Sequence, residues 1–205
     1  MSADSALARL LEHPAIWRGR SAARTAAIPT GSDALDDCLP GRGWPRTGLM
    51  EILVPRFGVG ELSVLLPALA ALTSRPAARW CMWVAPPLEP FAPALVAHGI
   101  TLERVLIARA PLSSWAFEQA LGSGACDVAM AWARRPRARE IRRLQLAAER
   151  GRTLGVLFRS RSAARESSPA ILRVALEPSP QGVRLTLLKS RGGQRGSIEI
   201  ALTGG

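Results

Sequence analysis

The sequence predicts an α/β protein: a mostly parallel sheet flanked by helices, with antiparallel strands at its C-terminal edge and a helical N-terminal arm. Three observations predict this. Apolar runs of strand length alternate with helix-length segments from about residue 28 to residue 158, and the short links between them suit parallel strands joined by helical crossovers. Beyond residue 158 three strand-like runs follow one another with no helical segment between them. The 205 residues are 48% hydrophobic and 21% charged, enough apolar matter for one sizeable core.

In chain order, residues 5–12 carry an apolar stripe at Leu7, Leu10 and Leu11 and read as a short helix ended by Pro14. An irregular basic segment with Trp17 at its centre follows. Trp17 is either a partner anchor or a residue that packs the arm on the main body. Residues 49–54 form an apolar strand, and a glycine-containing turn leads into a helix over 61–74. Residues 79–85 read as a buried strand. The segment 91–98 is helical despite Pro93, with Gly99 placed to end it. A strand over 105–108 is followed by a helix over 113–121 with a serine N-cap, then a strand over 126–132. A long helix spans 137–150 and ends at Gly151, and another strand covers 154–158. Residues 171–176, 183–188 and 197–201 are the closing strands. There is no internal repeat.

Composition excludes several chemistries. Lys and Arg total 27 against 16 Asp and Glu, a formal charge of +11, and Lys189 is the sole lysine. A phosphate-binding loop needs its lysine at the start of a helix near the first strand, and Lys189 lies near the other end of the chain. There is no tyrosine, and His13 and His98 are far apart, so no His/Cys pair has metal-ligand spacing. Cys38, Cys81 and Cys126 are isolated and read as small, buried, reduced thiols. The longest apolar stretch, 62–72, contains Ser63 and Pro67 and is too short to span a bilayer. The N-terminal residues lack the basic flank and apolar run of a secretory signal. A cytoplasmic, membrane-free protein is expected.

The residues Ile28-Pro-Thr-Gly-Ser-Asp-Ala-Leu-Asp36, Gly41-Arg-Gly-Trp-Pro45 and Gly48-Leu-Met-Glu-Ile-Leu53 resemble the entry to the ATPase core of the RecA recombinase family. There a phosphate loop follows at once. Here that place holds Pro55-Arg-Phe-Gly-Val-Gly-Glu-Leu62, with Glu61 at the lysine position and Leu62 at the Mg²⁺-binding hydroxyl position. A carboxylate there repels phosphate. By the same resemblance Pro87 stands where the family keeps its water-activating glutamate, and Trp132 where it keeps a Mg²⁺-linked aspartate. The resemblance divides the chain into an arm, 1–27, and a degenerate RecA-like domain, 28–205. It implies no enzyme activity, no cofactor and no metal.

Two non-ATPase families resemble this pattern. The cell-division inhibitor SulA is similar in Arg79-Trp-Cys-Met-Trp83, in the Gly99 helix end and in the strand–helix–strand over 127–158. The ImuA family of translesion-synthesis accessory proteins is similar in Leu10-Leu-Glu-His-Pro-Ala-Ile-Trp-Arg-Gly-Arg20. The segment Arg184-Leu-Thr-Leu-Leu-Lys-Ser-Arg191, followed by residues 194–201, also resembles late strands of RecA that the inhibitor lacks. Lys189 and Arg191 match RecA positions that reach a neighbouring protomer's nucleotide; with no nucleotide here, the resemblance leaves them an interface or no role. The ImuA resemblance implies a non-catalytic adaptor in SOS-induced DNA damage repair. Its implied partners are ImuB and the error-prone polymerase DnaE-two, with RecA and single-stranded DNA as further candidates. The SulA resemblance implies an inhibitor that binds FtsZ.

The basic surplus is concentrated. Residues 134–165 hold Arg134, Arg135, Arg137, Arg139, Arg142, Arg143, Arg150, Arg152, Arg159, Arg161 and Arg165 against Glu140 and Glu149. At helical periodicity Arg135, Arg139, Arg142, Arg143 and Arg150 share one arc, while Ile141, Leu144 and Ala148 lie opposite. The helix is expected to dock by its apolar side and turn guanidinium groups to water. By position, 134–139 and 159–165 stand where RecA has its two DNA-binding loops. Arginine forks suit phosphate oxygens, and such binding would be salt-sensitive and indifferent to sequence. No aromatic residue lies in either segment to stack on bases. An acidic protein face or plain solvent would satisfy the same charges.

Overall fold

Eight strands form one sheet in the order β10-β9-β8-β3-β7-β6-β4-β5 in a computed structural model that describes residues 27–109, 113–133, 135–190 and 196–201. The strands are β3 (Gly48–Val54), β4 (Trp80–Val84), β5 (Val105–Ala108), β6 (Cys126–Trp132), β7 (Leu154–Ser160), β8 (Leu172–Ser179), β9 (Gly182–Lys189) and β10 (Gly196–Ala201). Strands β3 to β8 pair in parallel, and β9 and β10 extend the edge antiparallel. The switch follows from the links: helical crossovers join the parallel strands, whereas only a tight turn separates Ser179 from Gly182. A two-residue ribbon, β1 (Ala27–Ile28) with β2 (Trp44–Pro45), seals Trp44 inside.

Helices α1 (Asp33–Cys38), α2 (Leu66–Ser74) and α3 (Ala92–Ala97) contribute to the core on one side of the sheet, where Met50, Ile52 and Val54 point. Helices α4 (Ser113–Gly122) and α5 (Ala138–Gly151) pack on the other, over Leu49, Ala129 and Leu157. The alternation within β3 is the period-two signature of a strand buried on both faces. The expected architecture of a mostly parallel sheet between helices, edged by antiparallel strands, is therefore present. Residues 1–26 lie outside the described residues, so the arm helix and Trp17 do too.

Two expectations change. The helix expected over 61–74 begins at Leu66, because Pro67 has no N–H to continue the ladder; residues 61–65 form turns closed by bonds such as Leu65 N–H to the Leu62 carbonyl at 2.8 Å. Cys38 is exposed rather than buried, since it closes a short surface helix. The long helix ends at Gly151 as expected, and the residue after it, Arg152, is left-handed (φ 50°). Gly151 serves close approach: a Cβ there would lie 2.0 Å from the Leu121 carbonyl oxygen of α4.

Candidate functional site

The parallel strands β3, β4 and β6 all end at the same edge of the sheet, where α/β proteins place their ligand sites. After β3 the chain turns through Gly58 (φ 85°) and Gly60 (φ 91°), backbone angles that only glycine takes at little cost. The turn brings backbone N–H groups together as a phosphate loop would. Here the chain fills its own cradle: the Gly58 N–H donates to both carboxylate oxygens of Glu61 at 2.9 and 3.0 Å, and the Val59 N–H donates to one of them at 2.9 Å. Glu61 is only 4% exposed. An incoming phosphate would have to displace a charge-assisted set of bonds and then face the displaced anion.

A cleft of about 300 Å³ opens beside this loop. Glu61, Pro87 and Trp132 all line it, so three positions separated in sequence converge. The rest of its wall is mainly apolar, including Trp83, Leu88 and Phe91. Leu88 and Phe91 are 67% and 70% exposed. Trp132 stacks on Phe158 with ring centroids 4.7 Å apart and tilts against Trp83 at 6.1 Å. Two members of this aromatic cluster, Trp83 and Trp132, thus line the cleft. Among the described residues no group of three His, Cys, Asp or Glu side chains could hold a metal ion.

The basic segments share this edge. Strands β6 and β7 are parallel neighbours, so the chain leaves the sheet side by side at Ala133 and at the 3₁₀ helix Arg161–Arg165. Helix α5 docks by Ile141, Leu144 and Ala148 as expected, and Arg135, Arg137, Arg139, Arg142, Arg143 and Arg165 are exposed. Glu140 accepts from the Arg137 backbone N–H at 2.7 Å, which caps the helix start. Arg143 reaches across to Glu118 of α4, a pairing that raises its pKa. The guanidinium of Arg150 lies against Gly122, over the C-terminal end of α4. Arg161 pairs with Glu177 at 3.1 Å, and Lys189 donates to the Ser168 carbonyl at 2.6 Å. Arg134 and Arg191 lie outside the described residues.

Arg159 does not belong to this surface. It is 1% exposed and donates to Glu51 at 2.9 Å and to Glu166 at 2.6 Å. Its place on β7 puts it on the same sheet face as Glu51, and the 3₁₀ helix covers that face through Ala163. Arg173 completes the arrangement, bonding Glu51 at 2.5 Å and the carbonyls of Ala163 and Glu166. Glu51 and Arg173 belong to no motif that marks a site. The available signal was a charged residue inside each of two otherwise apolar strands.

A second ionic centre lies at the opposite sheet edge. Burial by itself would raise the Asp127 carboxyl, but hydrogen bonds from the Arg75 side chain and from the Arg79 backbone and side chain outweigh it and hold the pKa below the ordinary value. Arg79 also donates to the carbonyls of Gly124, Gly151 and Arg152, tying the ends of α4 and α5 to β4. The role of Arg79 is thus structural.

The chain matches no protein-family profile. It is 32% identical over 110 residues to the cell division inhibitor SulA of Photorhabdus laumondii, covering 52% of this chain and 61% of that protein. It is 30% identical over 144 residues to the protein ImuA of Caulobacter vibrioides, covering 67% of this chain and 59% of that protein. The chain thus spans about three fifths of the length of the curated relatives it matches. Among solved structures it is similar to SulA from Pseudomonas aeruginosa, at 24% identity with a TM-score of 0.46, over 54% of this chain and 97% of that one. The chain is a distant relative of the group that contains both ImuA and SulA proteins.

Proposed function

We propose that this chain is a non-catalytic RecA-like adaptor in SOS-induced translesion DNA synthesis, of the ImuA kind. One observation carries the inert half of that reading: the Glu61 carboxylate occupies the amides that a nucleotide phosphate would need. A domain that keeps this sheet and loop without their chemistry is suited to holding partners. ImuB, DnaE-two and RecA are the proposed partners, and the exposed arginines of α5 and the 3₁₀ helix are the proposed contact surface, toward protein or single-stranded DNA.

The reading predicts that a fluorescent ATP analogue with Mg²⁺ does not bind at micromolar concentrations. Steady phosphate release from a clean preparation, abolished by Glu61→Ala, would overturn it. The choice of partner is tested by capture on separate ImuB and FtsZ baits, with ImuB capture expected. The second reading, a SulA-type inhibitor that binds FtsZ, is favoured by the identity with the Photorhabdus protein. Capture by FtsZ alone, with arrested FtsZ polymerisation, would replace the first reading with the second.

A further inference from the structure

The arginine arc of α5 has an apolar centre. Leu146 is 53% exposed, one of the few large apolar side chains left in water. At about 100° per residue it falls about 40° from Arg142 and about 20° from Arg139, inside the arc rather than at its border. Beside it runs a groove of about 230 Å³ between α5 and the segment entering β8, lined by Arg142, Leu146, Pro169 and Ile171. Glu149 lies on the same wall, where Gln145 Nε2 donates to it at 2.8 Å. Arg143 is engaged by Glu118, whereas Arg139 and Arg142 have no ion pair among the described residues.

A phosphate backbone would use the arginines and gain nothing from the leucine. A peptide that sets carboxylates around one apolar side chain would use both, since the guanidinium groups meet the carboxylates while Leu146 and Ile171 bury the anchor. We propose that this face docks an acidic amphipathic segment of a protein partner, anchored by an apolar side chain in the groove beside Leu146. The proposal deepens the adaptor reading and rests on it only in requiring a protein partner.

The test measures fluorescence anisotropy of two probes with the full chain: a labelled amphipathic peptide with glutamates flanking one leucine, and labelled oligothymidylate. Leu146→Ser leaves the charge unchanged and, at an exposed position, the fold intact by circular dichroism. It should weaken the peptide about tenfold, the loss of one partly buried leucine contact, and leave oligothymidylate unaffected. Arg139→Ala with Arg142→Ala should weaken the peptide further and reduce its salt dependence. A silent Leu146→Ser, with both probes losing equally on arginine removal, would overturn the proposal in favour of a phosphate-binding surface. Failure of the unaltered protein to bind the peptide at hundreds of micromolar would overturn it as well. If an ImuB bait captures wild type and Leu146→Ser equally, the docking proposal falls while the adaptor reading stands. If the peptide binds by Leu146 and ImuB captures nothing, the reverse holds.

Discussion

Glu51 and Arg173 lie directly opposite each other on the paired strands β3 and β8, with 2.5 Å between Oε2 and Nε, on a sheet face closed to water. Arg159 binds the other oxygen of the same carboxylate. One buried anion thus holds two buried cations, and through Arg173 it also holds the carbonyls at the end of the 3₁₀ helix. Removing the anion leaves Arg173 with backbone carbonyls alone and Arg159 with only the half-exposed Glu166 as counter-charge. Glu51→Ala is expected to cost about 3–5 kcal/mol in urea unfolding. Replacing all three residues with apolar ones of similar volume should recover most of that loss. A cost under about 1 kcal/mol for the single change would show that water reaches this face.

Stability should also depend on acid through Asp127. Its folded-state pKa lies below the ordinary value, held down by Arg75 and Arg79 against the effect of burial. The stabilisation it supplies is therefore complete above the ordinary carboxylate range and is lost as pH falls through the depressed folded value. Unfolding free energies of wild type and Asp127→Asn should differ most near neutrality and converge on acidification. A gap that stayed constant with pH would mean that the carboxylate is not the group responsible.

Gly151→Ala should reverse the usual helix rule. In an open helix this change is worth about 0.5–1 kcal/mol in favour of alanine. Here the new methyl would meet the Leu121 carbonyl, pressing α4 away from α5. A loss of about 1–3 kcal/mol is expected, read as a lower urea midpoint with unchanged slope.

The thiols should separate by accessibility. Burial pushes Cys81 up to about 12 and also raises Cys126, while Cys38 is exposed. A thiolate-selective reagent at mildly alkaline pH should modify Cys38 alone in the folded protein and all three cysteines after unfolding. Rapid modification of Cys81 in the native state would show that β4 opens locally.

Much of this molecule was written in local pattern. The strand and helix alternation, the inward side of α5 at Ile141, Leu144 and Ala148, and the carboxylate at Glu61 in a glycine-rich turn with no lysine each depend on residues within a few positions of one another. Periodicity and motif spacing report such relationships directly. Two things were decided only by tertiary structure. One is where the Glu61 carboxylate goes: sequence predicts that it repels phosphate, but only the folded loop shows it taking the phosphate's hydrogen bonds. The other is which arginines face water. Arg159 and Arg161 stand two residues apart in the same basic run, yet one is sealed in the core and the other is partly exposed. The difference is set by Glu51, 108 residues away along the chain. A charge is buried only where distant strands deliver its counter-charge, because desolvation without a partner is too costly, and no local count of charges contains that information.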